Sequence, residues 1–170
     1  MSEFKHIPVL LNEVVEGLNI KKDGIYIDCT IGGGGHSSEI VKRLSPEGHL
    51  YGFDRDEEAI STCQERFKDN KNVTLIHANY KDAPMILQEK GIKSFDGLLI
   101  DLGVSSYQID TAGRGFSFLH EGRLDMRMDK KQDLDAYEVV NHYPKERLLD
   151  ILYKYGEESN AKKIVENILK

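Results

Sequence analysis

The feature that most constrains the fold is the segment 25–38, in which a short apolar run leads through Asp28 to four consecutive glycines, Gly32 to Gly35. A β-branched apolar run is typical of a strand, and the residues after the glycines follow a helical pattern. Glycine lets a ligand approach the main chain, and the N–H groups at a helix start favour negative charge. This order predicts a nucleotide-binding loop, and a simple surface turn is the alternative.

The spacing of these glycines departs from the usual dinucleotide fingerprint. That fingerprint has glycines at its first, third and sixth positions, whereas the sixth residue counted from either Gly32 or Gly33 is a serine. Counted from Asp28, the spacing Asp-x-x-x-Gly-x-Gly resembles the loop of S-adenosylmethionine (SAM) methyltransferases, with Thr30 where their first glycine usually stands. The sequence therefore favours SAM over a nicotinamide cofactor.

A second carboxylate, Asp54, ends the next strand pattern, about twenty residues after Gly34. In nucleotide-binding α/β folds an acid at about this distance accepts hydrogen bonds from ribose hydroxyls. Asp54 is therefore the predicted ribose-binding residue. The alternative is a carboxylate that stabilises the helix beginning after Asp56.

Strand and helix patterns alternate through the first part of the chain. Strand patterns cover 49–54, 73–78 and 95–101, and helical patterns follow the glycine loop, Asp56 and Pro84. Such alternation implies an α/β fold whose parallel sheet has right-handed crossovers and binds ligands at the carboxyl ends of its strands.

Composition narrows the class of protein. No window of the 170 residues is apolar enough to span a membrane, and the segment 1–5 is too short and polar for a signal peptide. The two cysteines lie far apart, so neither a disulfide scaffold nor a metal site is expected. We expect a cytoplasmic protein. Its net charge of −6 argues against a broad nucleic-acid surface but leaves room for a local basic cluster.

The pattern changes at residue 104. Residues 104–132 mix Ser, Gly and Arg without periodicity, as in a long functional loop. Helical patterns follow over 136–143, 148–152 and 161–168. We expect two domains, a SAM-binding Rossmann-like domain at 1–104 and a loop and helical substrate-recognition domain at 105–170.

Six segments in order carry a resemblance to a known family. They are His6–Val14, the glycine loop with His36 and Ser37, Asp101–Gln108, Arg114–Phe118, Leu124–Asp129 and Tyr155–Glu158. Together they resemble the bacterial 16S ribosomal RNA (rRNA) cytosine-N4 methyltransferases, also called MraW. The resemblance implies a SAM-dependent enzyme that methylates the exocyclic N4 amine of a cytosine, in free 16S rRNA or in the small ribosomal subunit.

The resemblance also implies a set of cofactor contacts. Matched position by position, they fall on Gly34, Gly35, His36, Asp54, Tyr80, Asp101 and Gln108. The ring of Tyr80 would lie beside the adenine, where the family often has Phe. The alternatives are that His36 only caps the turn and that Gln108 is a solvated amide.

Catalysis requires that the cytosine amine be oriented, because its lone pair is delocalised into the ring. Asp101, at the end of a strand beside the methyl donor, is the predicted catalytic residue. In the alternative, backbone carbonyls orient the amine and Asp101 holds the methionine amine. The predicted RNA contacts lie in the long loop, and their alternative role is to pack that loop: Arg114, Phe116, Phe118, Arg123 and Arg127.

Chains of the family are much longer and return to the sheet after a helical insertion, whereas the present sequence ends at Lys170. We therefore expect a sheet that is incomplete at its C-terminal strands, with 95–101 as an open edge. Through this edge the chain forms a homo-oligomer, or its own helical segment covers the edge. We also expect weak methyl transfer or none. Two other classes stay open: a noncatalytic SAM-binding fragment and an NAD-type Rossmann enzyme.

Overall fold

The computed structural model describes residues 8–170. The first two residues of the His6–Val14 segment and the segment 1–5 lie outside the described residues. The chain divides into two compact units, Met1–Ser105 and Ser106–Lys170. The cofactor and substrate roles expected for the two parts of the chain stay predictions.

The first unit alternates strands and helices. Its elements are α1 (Leu11–Leu18), β1 (Ile25–Asp28), α2 (Gly35–Val41), β2 (His49–Asp54), α3 (Glu57–Arg66), β3 (Val73–His77), a 3₁₀ turn (Tyr80–Asp82), α4 (Ala83–Glu89) and β4 (Gly97–Leu99). The strands form one parallel sheet in the order β3-β2-β1-β4. The α/β fold with a parallel, Rossmann-like sheet is therefore confirmed.

Local sequence explains where several helices begin. Asp56 precedes α3 and accepts a hydrogen bond from the N–H of Glu58 at 3.0 Å, as a helix N-cap does. Pro84 lies in the first turn of α4, where its missing N–H costs no helical hydrogen bond.

Both faces of the sheet are covered. Tyr26 and Ile27 are adjacent in β1 and both are buried, in two different apolar clusters. Side chains of consecutive strand residues point to opposite faces, so helices must pack on each side of the sheet. With both faces covered, a ligand is expected at the carboxyl ends of the strands, as in other parallel α/β sheets.

Strand β4 is shorter than the strand pattern 95–101 predicts. Its ladder with β1 runs from the pair of Tyr26 and Gly97 to the pair of Asp28 and Leu99 and then ends. Beyond this point the N–H of Asp101 binds the hydroxyl of Thr30. Among the described strands β4 lies at the edge of the sheet, and Leu98 and Ile100 are more than 40% exposed. Such an edge can pair with another chain, and self-association through it stays a prediction.

The second unit is helical. Its elements are α5 (Ser106–Asp110), a 3₁₀ turn (Ala112–Arg114), α6 (Ala136–His142), α7 (Lys145–Lys154) and α8 (Ala161–Ile168). Helices α6 to α8 lie where the apolar periodicity predicts them, and α7 packs on α8 around Leu148 and Val165. Within residues 8–170, no helix is long and apolar enough to cross a membrane.

Candidate functional site

Helix α3 packs against the glycine loop that joins β1 to α2. Gly32 and Gly34 have φ values of 50° and 77°, a region that favours glycine. The thiol of Cys63, which is buried in α3, donates to the carbonyl oxygen of Gly32 at 3.2 Å, and burial raises the pKa of this thiol to about 12. The thiol is therefore protonated at neutral pH, as its role as a hydrogen-bond donor requires.

The carboxylate of Asp54 connects the glycine loop to the start of α3. Its Oδ2 accepts from the N–H of Gly32 and its Oδ1 from the N–H of Asp56, both at 2.9 Å. Each carboxylate oxygen can accept more than one hydrogen bond, so ribose hydroxyls can bind while the loop stays anchored. Burial raises the pKa of Asp54.

Asp28, the last residue of β1, carries a carboxylate that is fully buried. Its Oδ2 accepts from the hydroxyl of Ser37 in α2 at 2.7 Å, and its Oδ1 accepts from the N–H of Thr30 at 3.1 Å. In the sequence, the only sign of a role for Asp28 at this site is its position before the glycines. Its contact with Ser37 depends on the packing of α2 near the end of β1, which local sequence patterns do not reveal.

The pH dependence of stability should report on Asp28. Its burial raises the pKa from 3.8 to about 6, so between about pH 4 and pH 6 the native chain holds a proton that the unfolded chain has lost. In that window stability falls as the pH rises. Relative to Asp28→Asn, which does not titrate, the wild-type chain should lose up to about 3 kcal/mol of unfolding free energy between pH 4 and pH 6.5.

Urea unfolding of both proteins at several pH values measures this difference. Asp23→Asn, a change at an exposed carboxylate, serves as the control and should keep the pH dependence of the wild type. Parallel pH profiles for wild type and Asp28→Asn would contradict the prediction.

Asp101 follows β4 at the carboxyl edge of the sheet, where β1 and β2 also end. Its N–H donates to the hydroxyl oxygen of Thr30 at 2.8 Å, and the residue is exposed. The strand ends therefore bring the glycine loop, Asp54 and Asp101 to one edge. The structure places these three predicted site elements in a single unit.

Gly35, His36 and Tyr80 belong to the same unit. Nε2 of the buried His36 donates to the carbonyl oxygen of Val9 at 3.0 Å, and a Cβ on Gly35 would collide with Pro8. Both residues therefore fix the chain segment before α1, and their contact with a cofactor stays a prediction. Tyr80 is 42% exposed at the end of β3, so its ring is accessible for stacking.

The predicted RNA contacts lie in the second unit, and their side chains differ in how exposed they are to solvent. Arg114 is fully buried, and its guanidinium donates to the carbonyl oxygens of Arg127 and Met128 at 2.9 and 3.1 Å. In this conformation Arg114 therefore packs the loop, which is the alternative role given above, and its contact with RNA stays a prediction. Gln108 is also buried, in α5 of this unit.

Arg127 is likewise engaged within the loop. It pairs with Asp125 through Nη2 and Oδ2 at 2.8 Å and through Nε and Oδ1 at 2.9 Å, and this pair lowers the pKa of Asp125 to about 2. A bidentate pair of this kind fixes both side chains. The main role of Arg127 in this conformation is to hold the turn that follows it.

The remaining predicted contacts differ from these two arginines. The ring of Phe118 is 97% exposed, and Phe116 is partly buried. Arg123 pairs with Asp135 at 2.8 Å and lies over the ring of Tyr137 at 4.7 Å, yet its side chain is more than half exposed. Phe118 and Arg123 are therefore the members of the set that an RNA could reach directly.

The described residues contain no group of three or more His, Cys, Asp or Glu side chains arranged to hold a metal ion. At the sheet edge, the carboxylates of Asp54 and Asp101 can act as hydrogen-bond acceptors. The glycine loop offers N–H groups, and the exposed ring of Tyr80 offers an aromatic face. Such a set suits a nucleoside ligand.

Comparison with known proteins adds to this geometry. The profile of the MraW methylase family matches residues 3–170. Two proteins named ribosomal RNA small subunit methyltransferase H are similar to the chain over 167 residues: that of Clostridium botulinum strain Kyoto is 53% identical, and that of strain 657 is 52% identical. Each alignment covers 98% of the present chain and 54% of the relative. The chain thus spans about half the length of these relatives.

A solved structure of an rRNA methylase from Streptococcus thermophilus is also similar, at a TM-score of 0.39 and 22% identity, over half of each chain.

Proposed function

We propose, given that the chain belongs to the MraW methylase family, that it forms the cofactor-binding part of a SAM-dependent methyltransferase. Its substrate would be the exocyclic N4 amine of a cytosine in 16S rRNA. The observation that carries the proposal is the meeting of the glycine loop, Asp54 and Asp101 at one edge of the sheet. The relatives named as rRNA small subunit methyltransferases support the substrate class.

The residues at this edge fit SAM. A Cβ added at Gly33 would meet no atom within 4 Å, so the loop has an open side where a ligand can lie against the main chain. Asp54 retains acceptor capacity for the ribose hydroxyls, and the exposed ring of Tyr80 can stack on the adenine. The proposed contacts are Gly34, Gly35, His36, Asp54, Tyr80 and Asp101, and Gln108 is proposed on the family resemblance alone.

Bound SAM would supply an electrophilic methyl group. Asp101 would accept a hydrogen bond from the cytosine N4–H and so orient the nitrogen lone pair for attack. The alternative role of Asp101 is to hold the methionine amine. The target base must leave its stack to be reached, and the exposed Phe118 ring and the Arg123 guanidinium are the groups proposed to contact the RNA. An rRNA substrate would place the protein in the cytoplasm.

Transfer of a labelled methyl group from SAM tests this function. The purified chain is mixed with labelled SAM and with either free 16S rRNA or small ribosomal subunits, and the methylated nucleoside is identified after digestion. We expect N4-methylcytidine, and Asp101→Ala should lower its yield at least tenfold, as loss of a positioned acid–base group does.

Calorimetric titration with SAM and with NAD separates the alternatives. Binding of SAM without methyl transfer would indicate a noncatalytic SAM-binding module. Binding of NAD in place of SAM would overturn the proposal in favour of a nicotinamide enzyme.

A further inference from the structure

Thr30 occupies the position where SAM-type loops usually carry their first glycine, and its side chain makes a contact that glycine could not make. The hydroxyl oxygen of Thr30 accepts the N–H of Asp101 at 2.8 Å. The two residues are 71 positions apart. The contact therefore connects the loop after β1 to the segment after β4.

The Thr30 hydroxyl forms the next hydrogen bond after the backbone ladder between β1 and β4 stops. The last backbone bond between β1 and β4 runs from the N–H of Cys29 to the carbonyl oxygen of Leu99 at 2.9 Å. One step further, the N–H of Asp101 binds the Thr30 side chain in place of a main-chain carbonyl. The backbone of Asp101 is thus anchored although β4 has ended at Leu99.

Asp28 fixes the position of Thr30 in turn. One carboxylate oxygen of Asp28 accepts the N–H of Thr30, and the other accepts the hydroxyl of Ser37 in α2. Asp28 and Ser37 are both fully buried, so the hydrogen bond between them is shielded from water. A single network of hydrogen bonds therefore connects the glycine loop, α2 and the backbone of Asp101.

We propose that Thr30 is a positioning residue whose hydroxyl sets where Asp101 lies relative to the glycine loop. The consequence for methyl transfer rests on the proposed function, because only there does Asp101 contact cofactor or substrate. The hydroxyl, and not the branched shape of the side chain, carries this role. Valine keeps the shape and removes the acceptor, whereas serine keeps the acceptor and removes a methyl group.

Hydrogen exchange of the Asp101 amide, measured by NMR, tests the contact without any cofactor. Loss of one neutral hydrogen bond in Thr30→Val should speed exchange at Asp101 about threefold to tenfold, whereas Thr30→Ser should keep the wild-type rate. Thr62→Val removes a hydroxyl that donates within α3, so this matched control should leave Asp101 unchanged. Thr30→Ala replaces Thr30→Val should the valine variant fail to fold.

Coupling to Asp101 distinguishes positioning from general stabilisation. Thr30→Val should weaken SAM binding or slow methyl transfer about threefold to tenfold in the wild-type background, and by less than twofold in an Asp101→Ala background. Unchanged exchange at Asp101 in Thr30→Val, equal behaviour of the valine and serine variants, or equal effects in both backgrounds would overturn the proposal. A wild-type chain that binds no SAM would overturn the proposed function, and the exchange rates would still decide the role of Thr30.

Discussion

Gly34→Val is expected to abolish SAM binding and to lower the free energy of unfolding by about 2–6 kcal/mol, through backbone strain and overpacking together. Gly34 has a φ of 77°, and a Cβ there would lie 2.9 Å from Phe67 Cε2, 3.0 Å from Arg66 Cδ and 3.1 Å from Cys63 Sγ. The new side chain would push the loop away from α3. The hydrogen bonds that Gly32 forms with the thiol of Cys63 and the carboxylate of Asp54 would then be disrupted.

Urea unfolding and calorimetric titration with SAM measure the two effects. Gly33→Ala is the matched control, because its Cβ would meet no atom within 4 Å and its unfolding free energy should stay within about 1 kcal/mol of the wild type. Wild-type stability and affinity in Gly34→Val would show that the loop does not rest on α3 as described.

Asp54→Ala is expected to weaken SAM binding by about 1.5–3 kcal/mol, or roughly 10- to 150-fold, the range for hydrogen bonds to a charged group. The ribose hydroxyls would lose their acceptor. The N–H groups of Gly32 and Asp56 would also lose the oxygens that they bind at 2.9 Å. We therefore expect a loss of stability of about 1–3 kcal/mol beside the loss of affinity.

The variant Asp54→Asn separates the two contributions, because its single carbonyl oxygen can still accept one of the two backbone bonds. We expect it to lie between wild type and Asp54→Ala in both measurements. Asp23→Ala removes an exposed carboxylate that accepts from Ser45 and should leave SAM affinity unchanged. Undiminished affinity in a folded Asp54→Ala protein would remove this residue from the cofactor site.

Local patterns predicted most strands and helices of the fold, but neither α1 nor α5, which lies in the segment 104–132 that was expected to be a loop. The strand before Asp28, the glycine turn, the helix capped by Asp56 and the three helices of the second unit each depend on residues within a few positions of one another. The same patterns predict Asp54 at the carboxyl end of β2 and Asp101 close to that of β4, where parallel α/β sheets bind their ligands. Strand β4 was predicted too long at both ends, and beyond its carboxyl end the N–H of Asp101 binds a hydroxyl that is distant in sequence.

The amino-acid sequence by itself thus determined the order of the strands and of the helices between them, the parallel α/β class and the acidic residues near the strand ends. Only the tertiary structure decided which distant residues form hydrogen bonds with one another. The thiol of Cys63 donates to the carbonyl oxygen of Gly32, 31 positions away, and the hydroxyl of Thr30 accepts from the N–H of Asp101, 71 positions away. The tertiary structure also showed that Arg114, a predicted RNA contact, is buried and donates to a carbonyl oxygen of its own loop. Periodicity and propensity describe neighbours along the chain, whereas these contacts arise from packing between segments that are distant in sequence.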